Sequence, residues 1–197
     1  MNKEVKILGI AGSLRKGSLN KAALRSAVSL TPRNVTLDTF DISSFPLFNQ
    51  DDEHNPPEVI WQFKAQIRAA DAILFATPEY NYSVPGVLKN AIDWASRPAG
   101  DNAWEGKPVA LMSASIGMLG GARAQYHLRQ TFVYLNMYPL NRPEVIIPYA
   151  ADKFDSTGNL TDHHTREKIQ ELLQALSALA VQTRYEVVAA GKIYSRR

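Results

Sequence analysis

Three stretches of this chain carry residue types that do chemistry. In the first, Gly12-Ser13-Leu14-Arg15-Lys16-Gly17-Ser18-Leu19-Asn20 follows an apolar run and opens into a helical pattern. Such a junction leaves several backbone N–H groups unpaired at one point, with the positive end of the helix dipole behind them, so it suits an anion. Ser13 and Ser18 add hydroxyl donors, Arg15 a guanidinium fork and Asn20 a side-chain amide, all matched to phosphate oxygens. The spacing is neither Gly-x-Gly-x-x-Gly nor a loop ending in Gly-Lys-Ser/Thr, which favours a monophosphate over a dinucleotide or nucleoside triphosphate. An ordinary Gly/Ser-rich turn with a solvated Arg15 and Lys16 has the same composition.

The second stretch, Pro78-Glu79-Tyr80-Asn81-Tyr82, offers aromatic rings with backbone and amide groups. The third, Ser113-Ala114-Ser115-Ile116-Gly117, offers hydroxyls and close backbone approach. A planar ring with a phosphate tail fits all three, and flavin mononucleotide (FMN) fits without a second nucleotide-binding half.

The elements that must position these loops are legible from periodicity. Val5–Ile10 and Asp71–Thr77 are continuous apolar runs, as expected of strands covered on both faces, and Val35–Phe40 and Pro108–Ser115 are further strands. Glu144–Pro148 reads as a fifth. Helical stripes run from Leu19 to Leu30, Pro57 to Ala70, residues 86–97, residues 122–137 and through Ile169 to Ala180. Strands alternating with helices imply an α/β fold, a three-layer doubly wound five-stranded parallel sheet, with ligands at the carboxyl ends of the strands. The loops after strands one, three and four should therefore meet at one edge.

With those residues in hand, the chain resembles the NADPH-dependent FMN reductase family, in particular its bacterial quinone and chromate reductases. The resemblance is carried by Gly12-Ser13-Leu14-Arg15 with Ser18 and Asn20, by Thr77-Pro78-Glu79-Tyr80-Asn81, and by Pro85-Gly86-Val87-Leu88-Lys89-Asn90-Ala91-Ile92-Asp93-Trp94. Ser113-Ala114-Ser115 with Gly117, Gly120-Gly121, Arg123-Ala124-Gln125, and Phe154-Asp155 with Gly158 and Leu160 extend it. It implies a flavodoxin-like sheet of order 2-1-3-4-5 and a single FMN-binding domain over residues 1–184, with 185–197 a C-terminal tail. By the same resemblance Ser13, Arg15, Ser18, Leu19 and Asn20 hold the FMN phosphate. Pro78, Glu79, Tyr80 and Asn81 line the ring, and Ser115 and Gly117 close its other edge. Hydride passes from NADPH or NADH to FMN, and two electrons then go to quinones, free flavin or similar acceptors, chromate and azo compounds included. No catalytic side chain and no metal is expected, because the cofactor carries the chemistry. The alternative from another class is a flavodoxin-like electron carrier, which the chain's slight positive charge disfavours. A third reading is a binding module for another phosphate ligand.

Several residues invite a sharper and a plainer reading. Glu79 is either a general acid or, more simply, a carboxylate that shapes its loop. Trp94 reads as core, whereas Trp104, in a polar loop, is the ring-side candidate. His163-His164 and Asp155–Asp162 read as a solvated pair and a turn rather than metal sites. The helix over 122–137 is apolar on more than one side, which predicts a homodimer or homotetramer through it and helix 86–97, with Arg123, Tyr126 and Glu144 contributing polar contacts.

Composition sets the bounds. A chain of 197 residues supports one domain with a substantial core. Without cysteine, disulfides, thiolate metal sites and a cysteine nucleophile are excluded. The small excess of 22 Lys and Arg over 19 Asp and Glu is spread along the chain, which argues for no nucleic-acid partner but a mild attraction for small anions. No secretory signal or membrane-length run appears, so no membrane association and a cytoplasmic location are expected.

Overall fold

Strand β1 (Val5–Ala11) is central because its side chains are apolar in both directions. Val5 and Ile7 enter one hydrophobic cluster, and Leu8 and Ile10 enter another on the opposite face. The computed structural model describes the backbone of residues 4–194 and the side chains of residues 4–184. β1 pairs in parallel with β2 (Val35–Phe40) and with β3 (Ala72–Thr77), and β3 pairs with β4 (Pro108–Ala114). Every residue of β3 and β4 is buried, as a parallel strand sandwiched between helices must be.

The fifth position of the sheet is filled by two pieces. β5 (Tyr138–Pro139) pairs with Pro108 and Val109, and β6 (Val145–Ile147) pairs with Met112 to Ala114, both parallel to β4. Pro139 and Pro143 have no N–H to give, so one continuous ladder cannot run through this segment. The expected strand at 144–148 is therefore only the second half of that position. The order 2-1-3-4-5 holds, with β6 off the end of β4 beside β5.

Helices α1 (Leu19–Ser29) and α5 (His163–Tyr194) cover one face, where Ala22, Ala23, Leu24 and Ala27 meet Ile169, Leu172, Leu173 and Leu176. On that side β3 and β4 present alanines, Ala72, Ala76, Ala110 and Ala114, which let the helices sit close. α2 (Glu58–Ala69), α3 (Gly86–Ala95) and α4 (Ala122–Leu135) cover the other face with Phe63, Ile67, Leu88, Ile92, Leu128 and Phe132. Both clusters share the one sheet.

Two sequence expectations are corrected here. Trp104 is not at a ring-binding surface: it is fully buried, its Nε1 donates to Ile92 O at 3.0 Å, and its ring packs against Phe63 and Phe75. A polar loop does not keep an indole in water when a gap beneath it can bury one. Residues 185–194 continue α5 instead of forming a tail, since neither proline nor an early glycine interrupts the run. Residues 195–197 lie outside the described residues.

Candidate functional site

The loops after β1, β3 and β4 meet at the carboxyl edge of the sheet. Ser13, Arg15, Ser18, Leu19, Asn20, Pro78, Glu79, Tyr80 and Ser115 line one cavity of about 370 Å³, with Ala114 and Ile116. Asn81 and Gly117 line an adjoining cavity of about 360 Å³ that shares Glu79 and Ser115 with the first. Each is within the size of small-molecule sites, roughly 300–1,000 Å³. The structure thus brings the residues picked from the three loops to this edge, and leaves out Trp104.

The first loop is ordered by its own serines. Ser18 caps α1, its Oγ accepting from Lys21 N at 3.2 Å, and its N–H donates to Arg15 O at 3.2 Å. Ser13 Oγ accepts from Arg15 N at 3.4 Å. Neither hydroxyl hydrogen has an acceptor among the described residues, nor do the first-turn N–H groups of Leu19 and Asn20. Arg15 is exposed and without an ion-pair partner among the described residues. Asn20 differs from expectation. Its side-chain amide donates to Ala114 O and its carbonyl oxygen accepts from Ala114 N, both at 2.9 Å. It splices α1 to the end of β4, and its backbone N–H is what it offers the cavity.

The second loop is a tight turn. Tyr80 and Ser83 exchange both backbone hydrogen bonds, at 3.1 and 3.0 Å, while Asn81 and Tyr82 between them have φ of 50° and 67°. Two consecutive left-handed residues make a type I′ turn, whose central N–H groups point outward. Those of Asn81 and Tyr82 have no acceptor among the described residues.

Glu79 shapes its loop. One carboxylate oxygen accepts from Arg123 N at 3.0 Å, the other from Arg123 Nε at 2.5 Å and from a second guanidinium nitrogen. Its side chain is 8% exposed. Glu79 hydrogen bonding holds the Arg123 guanidinium above its ordinary range. Arg123, expected to contribute to an oligomer face, binds Glu79 within the chain through Nε and one further nitrogen. Sequence could not reveal this partnership, because 44 residues separate the two; the only signal was opposite charge at the ends of two loops bound for the same edge.

The third loop rests on glycines. Gly120 has φ of 56°, and a Cβ there would stand 2.5 Å from Ile146 Cγ2 and 2.9 Å from Pro148 N. Gly121, at φ of 90°, caps α4 against Ser113. Their absence of side chains lets Ser115, Gly117 and Met118 fold over the cavity. Gly117 N donates to Ser115 Oγ at 3.2 Å. Met118, Leu119 and Arg123, which line this side together with Tyr82, were not picked from sequence as site residues.

The arrangement is rich in unspent donors, and its single carboxylate is neutralised by Arg123. That donor set fits a phosphate at the first loop and an electron-rich ring edge at the second, so the residues present fit FMN. Among the described residues, no group of His, Asp and Glu could hold a metal ion. His163 is exposed at the start of α5, and Asp155 is engaged in its own turn with Thr157 and Asn159.

Comparison with known proteins agrees with this geometry. The family model for NADPH-dependent FMN reductase matches residues 5–152. An NAD(P)H-dependent FMN reductase of Pseudomonas aeruginosa is 55% identical over 177 residues, covering 89% of this chain and 95% of that protein. A 2-hydroxy-1,4-benzoquinone reductase of a Burkholderia species is 44% identical over 174 residues, 88% of this chain and 95% of that one. Among solved structures, the flavoenzyme NAD(P)H:(acceptor) oxidoreductase FerB of Paracoccus denitrificans superposes with a TM-score of 0.83 at 34% identity, over 91% of this chain and 98% of that one.

Proposed function

The chain belongs to the NADPH-dependent FMN reductase family, and from that premise we propose how its own residues serve an FMN-dependent NAD(P)H oxidoreductase that reduces quinone and flavin acceptors. Ser13, Arg15 and Ser18, with the N–H groups of Leu19 and Asn20, hold the FMN phosphate. Pro78, Glu79, Tyr80 and Asn81 line the ring, and Ser115 and Gly117 close its far edge. The observation that carries this reading is that three loops, far apart in sequence, turn unspent donors into one pair of joined cavities.

When bound, FMN supplies hydride acceptance from NAD(P)H and storage of the electron pair. The protein binds, orients and stabilises charge. The Asn81 and Tyr82 N–H groups are placed to stabilise negative charge on the ring, as oriented donors do at reacting centres. The electron-carrier alternative is not favoured, since the relatives are named as reductases. Purified protein loaded with FMN should, without oxygen, oxidise one equivalent of NAD(P)H by itself and turn over repeatedly only when a quinone or free flavin is present to take the electrons. Absence of that oxidation with every such acceptor would overturn the reading.

The chain acts as one FMN-binding domain, α5 included, and as a homodimer or homotetramer. Support for assembly comes from α4, where Tyr126, Val133 and Tyr134 are exposed, with Val133 at 83%. Tyr126, the exposed Glu144 and the partly exposed Arg123 contribute the polar contacts of that assembly. Light scattering at micromolar concentration should show more than a monomer. No helix among the described residues is long and apolar enough to cross a membrane, which accords with a cytoplasmic enzyme.

A further inference from the structure

We propose that Arg123 is a positioning residue of the flavin site: from α4 it fixes the Tyr80–Ser83 turn and thereby aims the Asn81 and Tyr82 N–H groups at the ring. The inference rests on FMN occupying this cleft. A left-handed tyrosine is unfavourable, because its Cβ crowds the backbone and, unlike asparagine, it has no short polar group to compensate locally. Something outside the turn must hold Tyr82 at φ of 67°. Arg123 does so from both sides. Its backbone N–H and its guanidinium grip Glu79, immediately before the turn, and the same guanidinium lies 3.5 Å from the centre of the Tyr82 ring. One turn along α4, His127 Nδ1 is 2.9 Å from Ser83 Oγ, so the helix also secures the far end.

Arginine is required for this. Its planar group bonds a carboxylate with its edge while stacking on an aromatic ring with its face, which a lysine ammonium cannot do together. The pair also has an electrostatic consequence. Removal of the guanidinium leaves the Glu79 carboxylate uncompensated beside the cleft, and a nearby negative charge makes it harder to place electrons on a bound flavin.

The test is equilibrium titration with FMN and with riboflavin, together with the midpoint potential of the bound flavin, in wild type, R123K, R123Q and R123Q/E79Q. R123Q should weaken FMN and riboflavin by the same factor, about tenfold, as expected for loss of a charge-assisted bond that holds a ring contact, and should make the potential more negative. R123K, which keeps the charge but not the stack, should recover the potential more fully than the affinity. R123Q/E79Q should restore the potential and leave the affinity low. Wild-type affinity and potential in R123Q would overturn the inference, as would a loss confined to FMN, which would place Arg123 at the phosphate. Failure of the wild type to bind any flavin would overturn the underlying reading and this inference with it.

Discussion

The two ends of the strands are both rich in charge, and they use it in opposite ways. At the amino ends a set of charged groups is matched. Buried Lys64 donates to Asp101 at 2.5 Å and to Arg97 O, and Arg68 pairs with the same carboxylate. Lys107 Nζ donates to Ala70 O at 2.6 Å and Arg68 O at 3.0 Å, while Asp71 accepts from Lys6 N and pairs with Arg184. Burial pushes the Lys107 ammonium below its ordinary range, and Asp71 draws it partly back. Burial raises Asp101, but the hydrogen bond and charge of Lys64, with Arg68, outweigh it and leave the carboxyl lowered. At the carboxyl ends, Arg15, two serine hydroxyls and four backbone N–H groups are left open. A cavity of about 590 Å³ lies at the amino end, and another of the same volume lies on the carboxyl side between Leu14, Phe45 and Val87, each larger than either cavity of the site. Volume alone does not pick out the site; unspent donors distinguish it from a braced seam.

Substitutions should separate these two uses. The largest effect is expected at the amino end, where Trp104→Ala should cost roughly 3–5 kcal/mol of folding stability, as for other large buried aromatics. Chemical denaturation measures it, and an intact fold with weakened flavin binding would return Trp104 to the ring side. Asp101→Asn should cost about 2 kcal/mol. That is less than the 3–5 kcal/mol of a fully buried pair because Asp101 is partly open to solvent, and FMN affinity should be unchanged. Arg15→Gln, at the other end, should invert the pattern: FMN binds about tenfold more weakly, riboflavin binds as before, and the melting temperature stays put.

The smallest effect lies in a carboxyl-side loop where Asp155, Thr157 and Asn159 bond one another. Hydrogen bonds from Thr157 and Asn159 hold the Asp155 carboxyl at about 2, below its ordinary 3.8. A lowered folded value means that the carboxylate stabilises the fold above about pH 3.8 and that this contribution is lost as pH falls through about 2. Asp155→Asn should therefore lower the melting temperature slightly at pH 7, and the gap should close in acid. FMN affinity should not change at neutral pH.

What could be read from sequence divides along the same line. Apolar runs and helical stripes placed the strands and helices, because burial on two faces or one leaves a local period. Ser13, Ser18, Pro78 and Gly117 could be placed at the carboxyl edge because loops that leave parallel strands in the same direction gather there. What sequence concealed depends on partners distant in the chain. Trp104 in a polar loop shows nothing of Phe63 and Phe75 beneath it, and the Asn20 amide looks free until Ala114 is beside it. Arg123 has the composition of a surface cation, and only the folded chain puts Glu79 and Tyr82 under its guanidinium. The division of the fifth strand was hinted at by Pro139 and Pro143, which bracket the gap.

The most direct test of the account is backbone amide exchange, residue by residue, with and without FMN. Open donors that receive a ligand should become protected. The account predicts slowed exchange at Leu19, Asn20, Asn81 and Tyr82, with no change at Lys6, Asp71 or Ala103. Protection at the amino end instead, or none at the first-loop and turn amides when FMN is bound, would contradict it.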